Sequence, residues 1–573
     1  MENKVGRWSD ILAAAVLFSM FLILAGSSLD NCLTVDEYPH IEAGYAYVKK
    51  FSLHQNPEHP PLMKILSGIP LLFLQIKGKN PLKNYNDQEQ VLFAARLPNM
   101  FLALLLGIVI YLWVSKLSNK SWGIFCLFLF AFEPTILAHS TLATTDLAST
   151  TFMFCAIYCL SNLLIRFDSV LYFSLILSVS AALLTKFSGI VLIPFIICIW
   201  SGHFLYYKFR SFKKNVSPFE FDFKKLRLFF TAVFIIVVSV YIIFMFNYTL
   251  RRQIKDVKRA NYYPLFQQER LLKFLQYPFA RFPGHYLYGI LFQVGHVAKG
   301  HEYPQYLMGH YSRTGWWYYF IIAFLVKTPG SLLILLAFAL FHFFIKEIGE
   351  LMSGIRNYYE LPFKEKLVCT SQVNMIAFMF LFGFICLRSK LNIGVRHILP
   401  IYPFFLAFIG LNFYRLFESI KAYRDYMYTF IMSLLIGLAI YLYGTYAIYP
   451  HYLSYFNEFV GPRHGYKYLS DSNLDWGQDL KRLAVWVEGN DIKKIKIDYW
   501  GRANVRYYLG KNYEQWGAHK GLPKKGYFAV SIFYILLNSD YFKKGKVAHS
   551  YDALLKRKPF ARIGYSIYVY KMD

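Results

Sequence analysis

Residues 98–115 read PNMFLALLLGIVIYLWVS, eighteen positions without a charged side chain, and residues 121–138 follow as SWGIFCLFLFAFEPTILA after the short stretch Lys116–Lys120. A hydrocarbon layer about 30 Å thick is crossed by about 20 residues of helix. Two such runs separated by a handful of residues therefore predict a membrane hairpin. Runs of the same kind recur at 9–28, 147–165, 169–185, 187–206, 228–247, 329–346, 371–387, 398–414 and 428–447. The composition agrees. Of 573 residues, 56% are hydrophobic and 17% charged, with 55 Phe and 47 Tyr, where a soluble chain carries about a quarter charged residues. The expected fold is an α-helical polytopic membrane protein with about eleven transmembrane helices.

The excess of 62 Lys and Arg over 34 Asp and Glu gives a net charge of +28. In a soluble protein this would point to nucleic acid; in a membrane protein it points to anionic lipid surfaces and to basic loops on the inner side. Lys116–Lys120, Lys208–Arg227 and Arg415–Arg424 fit that inner side. The N-terminus is then cytoplasmic, and the long segments 27–97 and 248–314 lie outside, together with the C-terminus. The first run follows Lys4 and Arg7 and has no small-residue cleavage site, so it reads as a retained span. The expected location is the cell membrane (inner or plasma), multi-pass. Seven scattered cysteines, mostly inside apolar runs, do not form a disulfide framework.

After Tyr449 the pattern changes. Lys494–Tyr499, Tyr527–Leu536 and Tyr565–Tyr570 are short, β-rich and partly alternating, separated by Gly, Pro and Lys. The chain is thus expected to divide into a transmembrane part, 1–447, and a small outer α/β domain, 448–573. No phosphate-loop or dinucleotide fingerprint is present.

The chemistry gathers at the outer turns. Thr34-Val35-Asp36-Glu37-Tyr38-Pro39-His40 follows the first span. Pro57-Glu58-His59-Pro60-Pro61-Leu62-Met63-Lys64 carries a helix-start signal at Pro61. Glu133-Pro134-Thr135-Ile136-Leu137-Ala138-His139, followed by Asp146, forms a turn with almost no soluble loop around it. There a carboxylate beginning a membrane helix is favoured by the helix dipole; capping is the competing reading. Lys186, and Arg388 to Arg396-His397, are cations on the outer side of short loops, against the positive-inside trend. Carboxylates that can accept a proton, beside cations that can hold a departing phosphate, suit a reaction on a lipid-linked anion.

These residues in this order resemble the membrane glycosyltransferases of the protein O-mannosyltransferase and lipid A aminoarabinose transferase class (glycosyltransferase family 39-like). The resemblance is carried by Asp36-Glu37, His59-Pro60-Pro61-Leu62, Ala143-Thr144-Thr145-Asp146 and Arg396-His397-Ile398-Leu399-Pro400. The segment Tyr468 to Leu480 (YLSDSNLDWGQDL) is similar to a hallmark of a prokaryotic subgroup with an outer C-terminal domain. The resemblance implies a GT-C fold, a horizontal helix in the first outer loop, and an inverting transfer from a polyprenyl-phosphate sugar. It implies Asp36 as base with Glu37 beside it, and Asp146 as the second acid. Lys186, Arg396 and His397 would be phosphate ligands, with His59, Lys64 and His139 lining the same mouth. The implied partners are a polyprenyl-phosphate-linked sugar, membrane lipids and an acceptor protein, lipid or glycan, with no nucleic acid, metal or other cofactor. Arg281, His285, His296, His301 and Glu302 are candidates to shape an acceptor groove; His301-Glu302 matches no metal-ligand spacing. Asp471, Asp475 and Asp479, four apart, are expected on one structural helix face. Asn247-Tyr248-Thr249 is a sequon at a span boundary. The competing functional reading is a lipid-linked substrate flippase or transporter, which would spread polar groups on both sides of the midplane. A scaffold anchored by eleven spans has more membrane than it needs.

Overall fold

The computed structural model describes residues 2–51, 55–76, 78, 80–84, 87–214, 223–244, 286, 289, 290, 293, 303–352, 361–543 and 550–572. The sequon at 247–249, and Arg281, His285, His296, His301 and Glu302, lie outside the described residues.

Within the described residues all eleven apolar runs fall largely on helix. Six helices are long and apolar enough to cross a membrane, or up to eight if each of two bent pairs counts as one span. The bends have identifiable causes. Lys120–Ala131 meets Pro134–Ser140 at 65°; Pro134 has no N–H to extend the first helix, and the Glu133 carboxylate caps the second, accepting from Ile136 N at 2.6 Å. Tyr319–Lys327 meets Gly330–Lys346 at 114°, with Pro329 at the break and Glu458 Oε2 accepting from Gly330 N at 2.9 Å. Asp146–Leu163 is shorter and buried along most of its length.

Two polar markers fix the ends of the first helix, Glu2–Asp30. Asp10 pairs with Lys120 at 2.6 Å and accepts from the Tyr111 hydroxyl at 2.6 Å. Asp30 pairs with Arg482. The twenty residues between them rise roughly 30 Å, about the thickness of the hydrocarbon layer. Residues 31–36 lead from Asp30 to the helix Glu37–Lys50, the segment where the resemblance implies a horizontal helix, which packs on Leu62–Gly68. The two cross closely at Gly44 and Gly68, where an added Cβ on Gly44 would stand 2.2 Å from the Lys64 carbonyl.

A β-hairpin of β1 (Gln305–Leu307) and β2 (His310–Ser312) precedes the 319–346 pair. Beyond Ile448 lie β3 (Ile495–Asp498), β4 (Tyr513–Gln515), β5 (Gly526–Ser531), β6 (Ala561–Ile563) and β7 (Ile567–Met572), in spatial order β4-β3-β5-β7-β6. β3 runs parallel to β4 and β5, and β7 antiparallel to β5 and β6. The strands expected over 494–499 and 565–570 are present. The one expected over 527–536 stops at Ser531, where the chain turns into the helix Ile532–Lys543. The sheet is buried on both faces by period-2 alternation. Phe528, Val530, Tyr568 and Tyr570 join a core continuous with the membrane helices. Ile495, Ile497, Ala529, Ile567 and Val569 pack with Leu480, Leu483 and Val487, in a core that also contains Ile41 and Tyr45 of the horizontal helix.

Candidate active site

Four side chains from four separate elements form a line of alternating charge. Lys186 Nζ lies 2.6 Å from Asp146 Oδ1. Arg396 Nη1 lies 3.8 Å from Asp146 Oδ2 and 2.7 Å from Asp36 Oδ2. Each sits at a helix boundary. Asp146 is the first residue of Asp146–Leu163. Lys186 is extended between Ser169–Thr185 and the 3-10 turn Phe187–Val191. Arg396 lies in the 3-10 turn Val395–Ile401. Asp36 stands at the N-cap of Glu37–Lys50 without making a capping bond, so its carboxylate is given to Arg396. Asp146 is 4% exposed and Asp36 36%. The line therefore runs from Lys186 through a closed middle at Asp146 and Arg396 to an open end at Asp36.

Around this line several buried polar atoms have no partner among the described residues: Arg396 Nε, His397 Nε2, His139 Nδ1, His59 Nδ1 and His40 Nδ1. Such atoms are costly unless something binds them. The Arg396 guanidinium lies 4.3 Å over the Trp476 ring, which also meets His139 edge-on at 6.4 Å. His40 stacks on His59 at 5.2 Å. Burial pushes His40 down to about 4, helped by the charge of Lys64. Burial, then His40, hold His59 well below its ordinary value. Both rings are neutral at pH 7.

Two expected ligands are occupied elsewhere. Glu37 lies behind Asp36, fully buried. Its oxygens accept from Arg96 Nε and Nη2, both at 2.7 Å, from Ala143 N at 2.8 Å and from Thr34 N and Oγ1. Burial would raise this carboxyl, but Arg96 and the N–H donors outweigh it and hold it below the usual range. With every acceptor position used, Glu37 is a brace between the first outer segment and the turn before Asp146, not a second base. Lys64 is likewise internal. Its Nζ donates to Asn56 O at 2.6 Å, His59 O at 2.7 Å and the Tyr47 hydroxyl at 3.1 Å. Because that hydroxyl itself donates to Gln55 O, it must accept from Lys64. All three amine hydrogens are thus required, although burial pushes this amine down to about 7. Lys64 braces the 55–61 turn that carries His59. Glu133, expected to exceed what capping requires, is itself a helix cap, accepting from Ile136 N, while Asp146 belongs to the charged line and His139 lies close to it.

The stretch 470–478 straps the site together. Asn473 Oδ1 accepts from Val395 N at 2.9 Å, and its Nδ2 donates to the Tyr319 hydroxyl at 2.9 Å. Ser472 Oγ donates to Ile393 O at 2.7 Å. Val35 N donates to Trp476 O and Cys32 N to Gln478 O. One segment thereby holds Arg396 from one side and Asp36 from the other. Lys327 Nζ fixes the strap from below, donating to Asn473 O at 2.7 Å and Leu453 O at 2.9 Å. Asp471, Asp475 and Asp479 do not share a helix face. Asp471 opens a 3-10 turn at φ +57°. Asp475 accepts from Gly477 N and Phe533 N, and Asp479 from Ser566 Oγ and Arg482. Burial, only partly offset by Arg396, pushes Asp471 up to about 7.

Residues 13–254 match the family model for dolichyl-phosphate-mannose-protein mannosyltransferases. The match bears out the resemblance read from the outer turns, since Asp36, Asp146 and Lys186 all lie within it. No curated protein matches the chain. Among solved structures, the chain is similar to the oligosaccharyltransferase of Archaeoglobus fulgidus in its apo form (14% identity, TM-score 0.49), covering 87% of this chain and 64% of that one. It is also similar to ArnT from Cupriavidus metallidurans bound to undecaprenyl phosphate (12% identity, TM-score 0.45; 98% and 97%). A third is the S. cerevisiae protein O-mannosyltransferase Pmt1-Pmt2 complex bound to the sugar donor (18% identity, TM-score 0.29; 42% and 33%).

The sequence reading found Asp36, Asp146, Lys186, Arg396, His397, His139 and His59, which the structure gathers at one end of the helices. It missed Arg96, His40 and Trp476. Arg96 had a signal: a cation two residues before an uncharged run is costly unless paired.

Proposed function

We propose that this protein is a membrane glycosyltransferase that moves a sugar from a polyprenyl-phosphate-linked donor to an acceptor hydroxyl at the extracytoplasmic face, with inversion at the anomeric carbon. The observation that carries the reading is the Asp36–Arg396–Asp146–Lys186 line. An anionic phosphate can take the place of the Asp36 carboxylate on Arg396 while Asp146 stays paired with Lys186, and the unpartnered Arg396 Nε and His397 Nε2 offer it further contacts. In this mechanism the acceptor oxygen attacks the anomeric carbon as its proton passes to Asp36. The bond from that carbon to the phosphate oxygen breaks, and the electron pair leaves with the phosphate. Release of Asp36 from Arg396 by the arriving phosphate would free its carboxylate to act as base. Binding the donor would thus switch on the base. Asp146 keeps Lys186 and Arg396 at the spacing a phosphate needs. The family match over 13–254 and the wholly one-ended placement of these charges support transfer over transport.

The test is reconstitution of the purified protein with a panel of undecaprenyl-phosphate sugars and with membrane extracts as acceptor, followed by mass spectrometry. Sugar-dependent release of undecaprenyl phosphate is expected, and Asp36→Asn should lower it by about 100-fold or more. Full turnover by Asp36→Asn would remove Asp36 from the base role.

A further inference from the structure

Near the Arg396 turn, whose Ile393 it shares, lies a shallow open groove. Its walls come from the β1–β2 hairpin (Tyr306, Tyr311), the preceding Tyr303, the start of Ile532–Lys543 (Phe533, Leu537) and Ile393; Asp471 stands on its floor. Three observations tie it to the site. Ile393, in its wall, is three residues before Arg396, and the two strap residues after Asp471 hold the 393–395 backbone. The Asp471 carboxylate is within electrostatic reach of both Arg396 and Asp36. The backbone of Asp471 is left-handed at φ +57°, a conformation that non-glycine residues hold only where the surroundings fix it. One of its oxygens accepts from Ser472 N at 2.6 Å, and Asp471 is among the groove's lining residues.

The lining selects a chemistry. Tyrosine and phenylalanine rings offer flat apolar faces, and Phe533 is itself held rigid by Trp500, stacked at 3.7 Å. A single carboxyl group on the floor, pushed up to about 7 by burial, accepts hydrogen bonds and donates one when protonated. A pyranose presents the complement: an apolar C–H face for the rings and hydroxyls for the carboxyl group.

We propose that this groove is the acceptor site and that it takes a neutral saccharide, stacked on the tyrosines and hydrogen-bonded to Asp471, with the attacking hydroxyl directed toward Asp36. The proposal rests on the glycosyltransferase reading and narrows its acceptor to a glycan.

The test uses the purified full chain in detergent, an array of neutral manno-, gluco- and galacto-oligosaccharides, and undecaprenyl phosphate as a separate ligand read by tryptophan fluorescence. Asp471→Asn keeps a residue that tolerates the left-handed backbone, and Leu537→Trp fills the groove without touching the charged line. Wild type should retain a subset of the oligosaccharides. Each variant should weaken that binding about tenfold or more, while undecaprenyl phosphate binding stays within about twofold. Arg396→Ala should show the reverse. Saccharide binding unchanged in Asp471→Asn overturns the groove assignment even if Leu537→Trp fails to fold. Phosphate binding by wild type with no oligosaccharide retained also overturns it. Failure of undecaprenyl phosphate to bind wild type counts against the transferase reading itself.

Discussion

At the scale of single residues, adjacent carboxylates have opposite fates. Asp36 is partly exposed and gives its charge to Arg396; Glu37, one position on, is sealed against Arg96. Breaking a buried ion pair strands a charge and costs about 3–5 kcal/mol, whereas replacing both partners with apolar groups can be nearly neutral. Glu37→Gln is therefore expected to lower the melting temperature and the yield of folded protein sharply. Glu37→Leu with Arg96→Met should recover part of that loss, and Asp36→Asn should melt close to wild type. Thermal unfolding in detergent compares the four proteins directly, and equal melting of Glu37→Gln and Asp36→Asn would contradict the separation of roles. His40 adds a pH dependence. Its folded value of about 4 lies below the ordinary value of about 6.5. Between these pH values the unfolded chain binds a proton that the folded chain refuses, so stability falls as pH falls through that window. By pH 5 the cost is on the order of 2 kcal/mol. His40→Gln should flatten the melting profile between pH 7 and 5, and an unchanged slope would show that the ring titrates freely in the fold.

At the scale of elements, the strap 470–478 decides whether the charges meet. Asn473 uses three of its side-chain bonds to join Val395, Tyr319 and Ser470. It touches neither Asp36 nor Arg396 directly, so it is a positioning residue. Asn473→Ala is expected to raise the KM for the polyprenyl-phosphate donor by about tenfold with a smaller change in the acceptor KM, because Val395 leads into the Arg396 turn. A purely structural role would lower both alike through loss of folded protein, so the KM split measured on melted-corrected enzyme is the discriminating readout. Gly477 belongs to the same element. Its φ of +82° and the Gly501 Cα at 2.7 Å from an added Cβ leave no room for a side chain, and Gly477→Ala is expected to cost about 1–3 kcal/mol. Much of this element was readable as sequence: its segment stood out, as elsewhere did the helix starts at Pro61 and Asp146. What could not be read was its geometry. The spacing of Asp471, Asp475 and Asp479 suggested one helix face, but Gly477 and the Asp471 turn break the helix, and each carboxylate finds a different partner far away in the chain. The pairing of Arg96 with Glu37, 59 positions apart, is beyond local pattern for the same reason.

At the scale of the whole molecule, the spans were legible because hydropathy is a local property, while the relation between the two parts of the chain was not. The tail after Ile448 was expected to sit on the helices as a small attachment. Instead one face of its sheet continues the core of the membrane helices, and the other shares a core with the horizontal helix. Arg482 and Lys481 reach back to Asp30 and Glu89, so the sheet lies at the same end as the charged line. Asp10 and Lys120 mark the opposite end. With the basic loops Lys116–Lys120 and Arg415–Arg424 facing the cytoplasm, as the positive-inside rule expects, the proposed transfer places the charged line on the extracytoplasmic side. This orientation predicts an asymmetric labelling pattern. A cysteine replacing His464, exposed near the sheet, should react with a membrane-impermeant maleimide in intact cells. A cysteine replacing Lys421, exposed between Tyr402–Ile420 and Arg424–Ile448, should react only after permeabilisation. Each is read against the seven native cysteines of the unmodified chain. The reverse pattern would turn the site toward the cytoplasm. The proposed extracytoplasmic transfer would then fall with the orientation.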